Sequence, residues 1–276
     1  MELTCFDVSV EGKVAHVRLN RPDALNTMIP AFWSELPVLV GELSDRGDVR
    51  AIVISSTGRH FSAGMDLSVF TSSGLSMDGE PGRRNAGMSL LVKRLQASFT
   101  ALEEARVPVL AAVQGGCIGG AVDMVCAADM RYASADAFFV VQETSIGMTA
   151  DVSTLQRLPK LIPDGVAREL VYTGRRMPAE RAREVGLVNE VFADHDSLVS
   201  GVLEIAAEIA AHSPLAIWGA KESLVYARDH GVDDSLHQIA TWQSGAFQMG
   251  DMMEAFAAKG EKRTPVYPDL PPAPTL

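Results

Sequence analysis

The chain is short of the residues that staple small folds, hold metals or span bilayers. Its only cysteines are Cys5, Cys117 and Cys126. An odd number without metal-ligand spacing excludes a disulfide framework and fits a reducing compartment. The six histidines show no paired spacing either, so no metal is expected. No apolar run is long enough to cross a bilayer. No basic segment followed by an apolar one opens the chain, so no secretory leader is expected. Positive charge is scarce as well: 24 Lys and Arg face 35 Asp and Glu, a net charge of −11. That balance argues against a nucleic-acid or membrane partner but leaves room for a local basic pocket for a phosphorylated ligand. The C-terminal Pro-Ala-Pro-Thr-Leu is not a peroxisomal Ser-Lys-Leu signal, and the expected location is cytoplasmic.

What is present suits a globular protein of one large domain. Apolar residues make up 47% and charged residues 21% of 276 positions. Residues 3–10 and 13–19 read as a hairpin about Glu11-Gly12. Residues 28–45 carry apolar positions at helical spacing, with Pro30 at the start and Pro37 expected to kink the helix. Strands are expected over 50–56, 108–113, 127–132 and 137–141. Residues 71–86, rich in Ser, Gly and Pro, read as a loop, followed by a helix over 86–104. Helices are expected over 151–158, 163–173 and 178–185. From 196 onward the pattern is all helical (196–211, 214–229, 233–246 and 249–258), with Asp196 and Ser213 as N-caps. The proline-rich end, 264–276, reads as extended or disordered. The fold class is α/β. The expected division is a core over 1–195, a helical region over 196–263 and a tail over 264–276.

The informative stretch is 107–151. The apolar strand breaks into a loop with Gly115, Gly116, Gly119 and Gly120, which opens into a small-residue helix over about 119–126. Such a turn brings backbone close to a ligand and aims free helix N–H groups at it. Asp123, Glu143 and Asp151 follow in apolar or small-residue surroundings. Backbone donors for a developing anion beside acids and bases are the parts of carbanion chemistry. Blander readings stand beside this one. Asp123 also suits a loop cap, Asp151 a helix N-cap, and Asp66 a cap more than a chemical group. Cys117 lacks a histidine partner for a nucleophile's role, and His60 reads as structural.

Three segments in order carry a resemblance: Asn20-Arg-Pro-Asp-Ala-Leu-Asn26, Phe61-Ser-Ala-Gly-Met-Asp66 and Gly116-Cys-Ile-Gly-Gly-Ala-Val-Asp123. With them the chain resembles the crotonase (enoyl-CoA hydratase/isomerase) superfamily from about residue 5 to 267. The resemblance implies a ββα spiral with a C-terminal helical trimerisation region. It implies an acyl-CoA thioester substrate, no cofactor beyond the CoA of that substrate, and a homotrimer or dimer of trimers. The oxyanion hole it implies uses the backbone N–H groups of Met65 and Gly120. Ala24, Leu25 and Ala63, with Gly64 and Asp66 in the same loop, match CoA-binding positions. Residues around Trp242 to Phe256 match the region that often completes the pocket. Ala121 replaces the third glycine of the usual run, and the donor Gly120 is kept.

The acids narrow the resemblance. Hydratases of the superfamily carry acids at the positions of Asp123 and Glu143 and usually none at Asp151. All three together, with the segment Thr149-Ala-Asp-Val-Ser-Thr-Leu-Gln-Arg-Leu-Pro159, look like the Δ3,5-Δ2,4-dienoyl-CoA isomerases. There the acids matching Glu143 and Asp151 shuttle a proton between C2 and C6, and the one matching Asp123 assists. An enoyl-CoA hydratase or another crotonase-type acyl-CoA enzyme is the alternative, and a non-catalytic acyl-CoA or RNA-binding relative a weaker one. A 1,5 proton shift needs an acid and a base at opposite ends of a conjugated system, which one carboxylate cannot supply.

Overall fold

A computed structural model describes residues 3–66, 68–69 and 80–274. Strands β1 (Phe6–Glu11) and β2 (Val14–Leu19) form the expected antiparallel hairpin. From β2 the main sheet continues in parallel through β3 (Ala51–Ser56), β4 (Val109–Val113), β6 (Met130–Ser134) and β9 (Glu190–Phe192). A small second sheet joins β5 (Gly116–Ile118), β7 (Phe138–Val140) and β8 (Met177–Pro178). Every residue of β3 and β4 is buried, as parallel strands covered on both faces require.

Period-two alternation decides which cover each residue meets. Ile52, Ile54, Val109, Ala111 and Val113 enter the large core, which α1 (Pro30–Asp45), α2 (Pro81–Glu104) and α3 (Gly120–Ala127) also fill. Ala51, Val53, Leu110 and Ala112 enter a smaller core under α7 (His195–Ala210). Helices α4 (Thr154–Leu161), α5 (Asp164–Thr173) and α6 (Ala179–Glu184) also pack into the large core, through Leu158, Ala167, Leu170, Ala179 and Ala182.

Local chemistry moved several boundaries. The segment 71–79, expected as a loop, lies outside the described residues. Helix α2 begins at Pro81, not Ala86, because the Glu80 side chain caps it by accepting the N–H groups of Gly82 at 2.8 Å and Arg83 at 3.0 Å. Helix α7 is capped by Asp194 and Ser197 in a reciprocal box, so Asp196 is not the N-cap. Ser213 does cap α8 (Pro214–Asp229). Helix α1 runs on through Pro37. Proline deprives the Trp33 carbonyl of its helical donor, and the Ser98 hydroxyl of α2 donates to that carbonyl at 2.9 Å instead.

The end of the chain is extended but not disordered. Arg50, at the mouth of β3, donates to Tyr267 O at 2.6 Å and pairs with Asp269 at 2.9 Å. Ala273 N–H donates to Asp45 O at 2.8 Å, and Leu270 is buried. Of the last helices, α8 sinks Lys221 against Leu102 O, Val107 O and Asp129. Helix α9 (Val232–Ala246) buries no residue and α10 (Met249–Glu261) only Ala258. Among the described residues no single helix is long and apolar enough to cross a membrane.

Candidate active site

Three loops lie side by side at the carboxyl ends of β2, β3 and β4. Residues 61–66 form the middle layer. On one flank Ala63 N–H donates to Leu25 O at 3.0 Å, Met28 N–H to Gly64 O at 2.8 Å and Asp66 N–H to Met28 O at 3.1 Å. On the other, Ser62 N–H donates to Gly116 O and Ile118 N–H to Ser62 O, both at 3.1 Å. The outer loop turns through Leu25 and Asn26, both with positive φ, and the buried Asn26 amide binds Thr57 O and His60 O. Thus Ala24, Leu25, Ala63, Gly64 and Asp66 are brought together on one rim, and Leu25 is exposed on it.

The middle layer sets Met65 against Gly120. Gly64 has φ +85, and a β-carbon there would lie 2.5 Å from Ile118 O and 3.2 Å from Gly120 N. Only glycine allows both that conformation and that approach. A β-carbon on Gly120 would in turn stand 3.6 Å from Met65 N and 3.3 Å from Met28 Sδ. Among the described residues no hydrogen bond uses the N–H of Met65 or of Gly120. Gly120 is the first residue of α3, where helix N–H groups lack internal partners. Two backbone donors therefore border one small space, the arrangement that holds an oxyanion.

The acids stand around the same helix end. Asp123, one turn into α3, is 1% exposed, and burial raises its pKa. Its Oδ1 accepts the N–H groups of Ser153 at 2.7 Å and Thr154 at 2.5 Å. Glu143 lies where a β-carbon on Gly119 would be 3.3 Å from its Oε1, and its Oε2 is buried without a partner among the described residues. Burial first, then the charges of Asp123 and Asp151, lift its pKa to about 7. Asp151 is the most open of the three in the single chain, against the apolar setting expected for it; what burial it has raises its pKa.

The blander readings divide. Asp123 caps the start of α4, the task that could have fallen to Asp151, and among the described residues no hydrogen bond from another residue reaches the Asp151 carboxylate. Asp66 is a loop fastener, accepting Ser68 N–H at 2.9 Å and the Thr27 hydroxyl at 2.8 Å. His60 is structural: its Nδ1 accepts Gly116 N–H at 2.8 Å, which requires that nitrogen unprotonated, and burial lowers its pKa accordingly. Cys117 is fully buried with its thiol pushed well up, so it is no nucleophile. Met28, Trp33 and Gln96 were not legible as site residues. Met28 and Trp33 wall the space at Gly120, and Gln96 donates to Asp151 O at 2.7 Å. Only the fold brings them there.

Comparison with known proteins finds relatives over nearly the whole chain. Residues 9–270 match the enoyl-CoA hydratase/isomerase family model. The chain is 43% identical over 257 residues to the mitochondrial Delta(3,5)-Delta(2,4)-dienoyl-CoA isomerase of Rattus norvegicus, covering 92% of this chain and 79% of that protein. It is 38% identical over 264 residues to the peroxisomal Delta(3,5)-Delta(2,4)-dienoyl-CoA isomerase of Arabidopsis thaliana, covering 95% of each. Among solved structures, an enoyl-CoA hydratase from Bacillus anthracis superposes with a TM-score of 0.85 at 29% identity, covering 96% of this chain and 99% of that one.

Proposed function

Because the chain belongs to the enoyl-CoA hydratase/isomerase family, and is an enzyme of it, we propose that it converts 3,5-dienoyl-CoA esters to 2,4-dienoyl-CoA esters. One observation carries the choice of reaction. Asp151 is left without a capping duty, on the loop that Asp123 fastens, and its charge helps to raise the pKa of Glu143, which supports reading the two as an acid–base pair. The thioester oxygen accepts the N–H groups of Met65 and Gly120. A carboxylate of the pair takes a proton from C2, and the electrons spread through C3 to C6 and onto that oxygen. The other member protonates C6, which leaves double bonds at C2 and C4. The donors border the space where negative charge develops, so they act most strongly on the transition state. The CoA portion of the substrate lies along the rim of Ala24, Leu25, Ala63, Gly64 and Asp66.

The protein works as a trimer or a dimer of trimers. Leu236 on α9, Met249, Met253 and Phe256 on α10 and Phe247 just after α9 are exposed, and the two helices bury almost nothing of their own. Apolar surface of that extent on a helical pair marks an interface. Hydration of 2-enoyl-CoA is the competing reaction, and it needs two carboxylates gripping one water. With Asp123 Oδ1 already holding two amides, that grip is weakened. The deciding assay offers the protein a 3,5-dienoyl-CoA and a 2-enoyl-CoA and follows each in the ultraviolet. Formation of the conjugated 2,4-diene with little hydration is expected; rapid hydration without isomerisation refutes the proposal.

A further inference from the structure

Resting on that reading, we propose that Asp123 is a positioning residue, which holds the loop carrying Asp151 in register with the oxyanion donors and transfers no proton itself. The contacts are two-way. Oδ1 of Asp123 accepts the amides of Ser153 and Thr154, and the Ser153 hydroxyl donates back to Asp123 O at 2.9 Å. Asp123 and Ser153 are 1% and 2% exposed, so solvent does not compete for these bonds. On its other side the loop is pinned by Gln96 Nε2, which donates to the carbonyl of Asp151 itself.

Helix geometry gives the clamp its use. Asp123 stands three residues after Gly120, one turn of the same helix. A single rigid turn therefore fixes the spacing between an oxyanion donor and the base of the loop that bears Asp151. The proton a shuttling residue must trade needs a free oxygen facing the substrate. Oδ1 of Asp123 is committed to two amides, which leaves only Oδ2 uncommitted and the carboxylate held by its other oxygen, whereas the buried Glu143 Oε2 lacks a partner among the described residues. Removing a clamp of this kind displaces a group without altering its chemistry, and displacements near 1 Å are enough to cost about 10²-fold in rate. Asp123 also acts at a distance: its charge, after burial, is what raises the pKa of Glu143.

The two roles separate with Asp123→Asn and Asp123→Ala. Asparagine keeps an acceptor oxygen for Ser153 and Thr154 but no charge and no exchangeable acid proton. Turnover of a 3,5-dienoyl-CoA and its pH profile are compared for wild type, both variants and Asp151→Asn. Amide exchange at Ser153 and Thr154 is followed by mass spectrometry in the same proteins. Asp123→Asn should stay within about tenfold of wild type, against the roughly 10²–10⁴ lost with a general acid or base. Its alkaline limb should move to lower pH as the Glu143 pKa falls. Asp123→Ala should lose protection at 153–154 and drop towards the rate of Asp151→Asn. An Asp123→Asn protein as inactive as Asp151→Asn, with its amides still protected, overturns the inference, as does unchanged protection in Asp123→Ala. Wild type without any isomerisation overturns the isomerase reading instead, and the exchange data still decide whether the clamp exists.

Discussion

The Ser98 hydroxyl donates to the carbonyl of Trp33, the group that Pro37 leaves without a helical donor. The bond is buried, and it ties α2 to the helix whose Trp33 side chain walls the space at Gly120. The hydroxyl also lies 3.2 Å from Arg94 O, one turn back in its own helix, but the shorter bond goes to Trp33. Ser98→Ala should destabilise the protein by about 1–3 kcal/mol, the cost of a buried acceptor left unpaired. A thermal melt measures it, and a melting point unchanged from wild type would assign the proline's compensation elsewhere.

Gly120→Ala separates space from fold. The backbone there needs no left-handed conformation, and the added carbon meets the mobile end of Met28 at 3.3 Å. The same carbon stands 3.6 Å from Met65 N, where the proposed reaction puts the thioester oxygen. Stability should stay near wild type while kcat falls by roughly 10²–10³, as when one oxyanion donor is lost. Steady-state kinetics beside a melt make the comparison.

Asp151→Asn should reduce isomerisation by roughly 10²–10⁴ with the fold intact, since the carboxylate caps nothing. Undiminished turnover of a 3,5-dienoyl-CoA, with native circular dichroism, would remove Asp151 from the reaction.

The pH dependence has a definite sign. A 1,5 shift needs one proton shared between Glu143 and Asp151. Glu143 holds the upper pKa, about 7, so the last proton leaves as pH rises through that value. Activity should therefore fall above pH 7, and Glu143→Gln should lose most activity together with that limb. Stability follows the same group. Its pKa is raised from 4.5 to about 7 by folding, so its contribution is complete below 4.5 and lost as pH rises through 7. Glu143→Gln should match wild type near pH 4.5 and exceed it at pH 8, by no more than about 3 kcal/mol. Denaturant melts at the two pH values test this.

Much of the framework was legible because it depends on local pattern. Continuous apolar runs marked β3 and β4, and the glycines marked the loop that opens α3. Where a side chain reaches across a few residues to cap, the boundary shifted, as at Glu80 and Asp194. The acids were found by residue type, but their division of labour was not. That Asp123 faces the amides of Ser153 and Thr154 depends on contacts thirty residues apart. The position of Gln96 behind Asp151 has no sequence signal, because a glutamine on a half-buried helix is ordinary. The strap over 264–274 read as extended or disordered, and which of the two it is was not legible because its bonds go to distant backbone and charge.

That strap also bears on the order of events during synthesis. Arg50 opens β3, in the first fifth of the chain, and only 9% of its side chain is exposed. Its carboxylate partner, Asp269, is also the partner of Lys13 at the hairpin turn, at 2.6 Å. Until the ribosome has released residue 269, both cations lack that shared anion, and Arg50 would be buried as an uncompensated charge. The amino-terminal strands can pair early, but the two cations beside them gain their shared anion only once residue 269 is made.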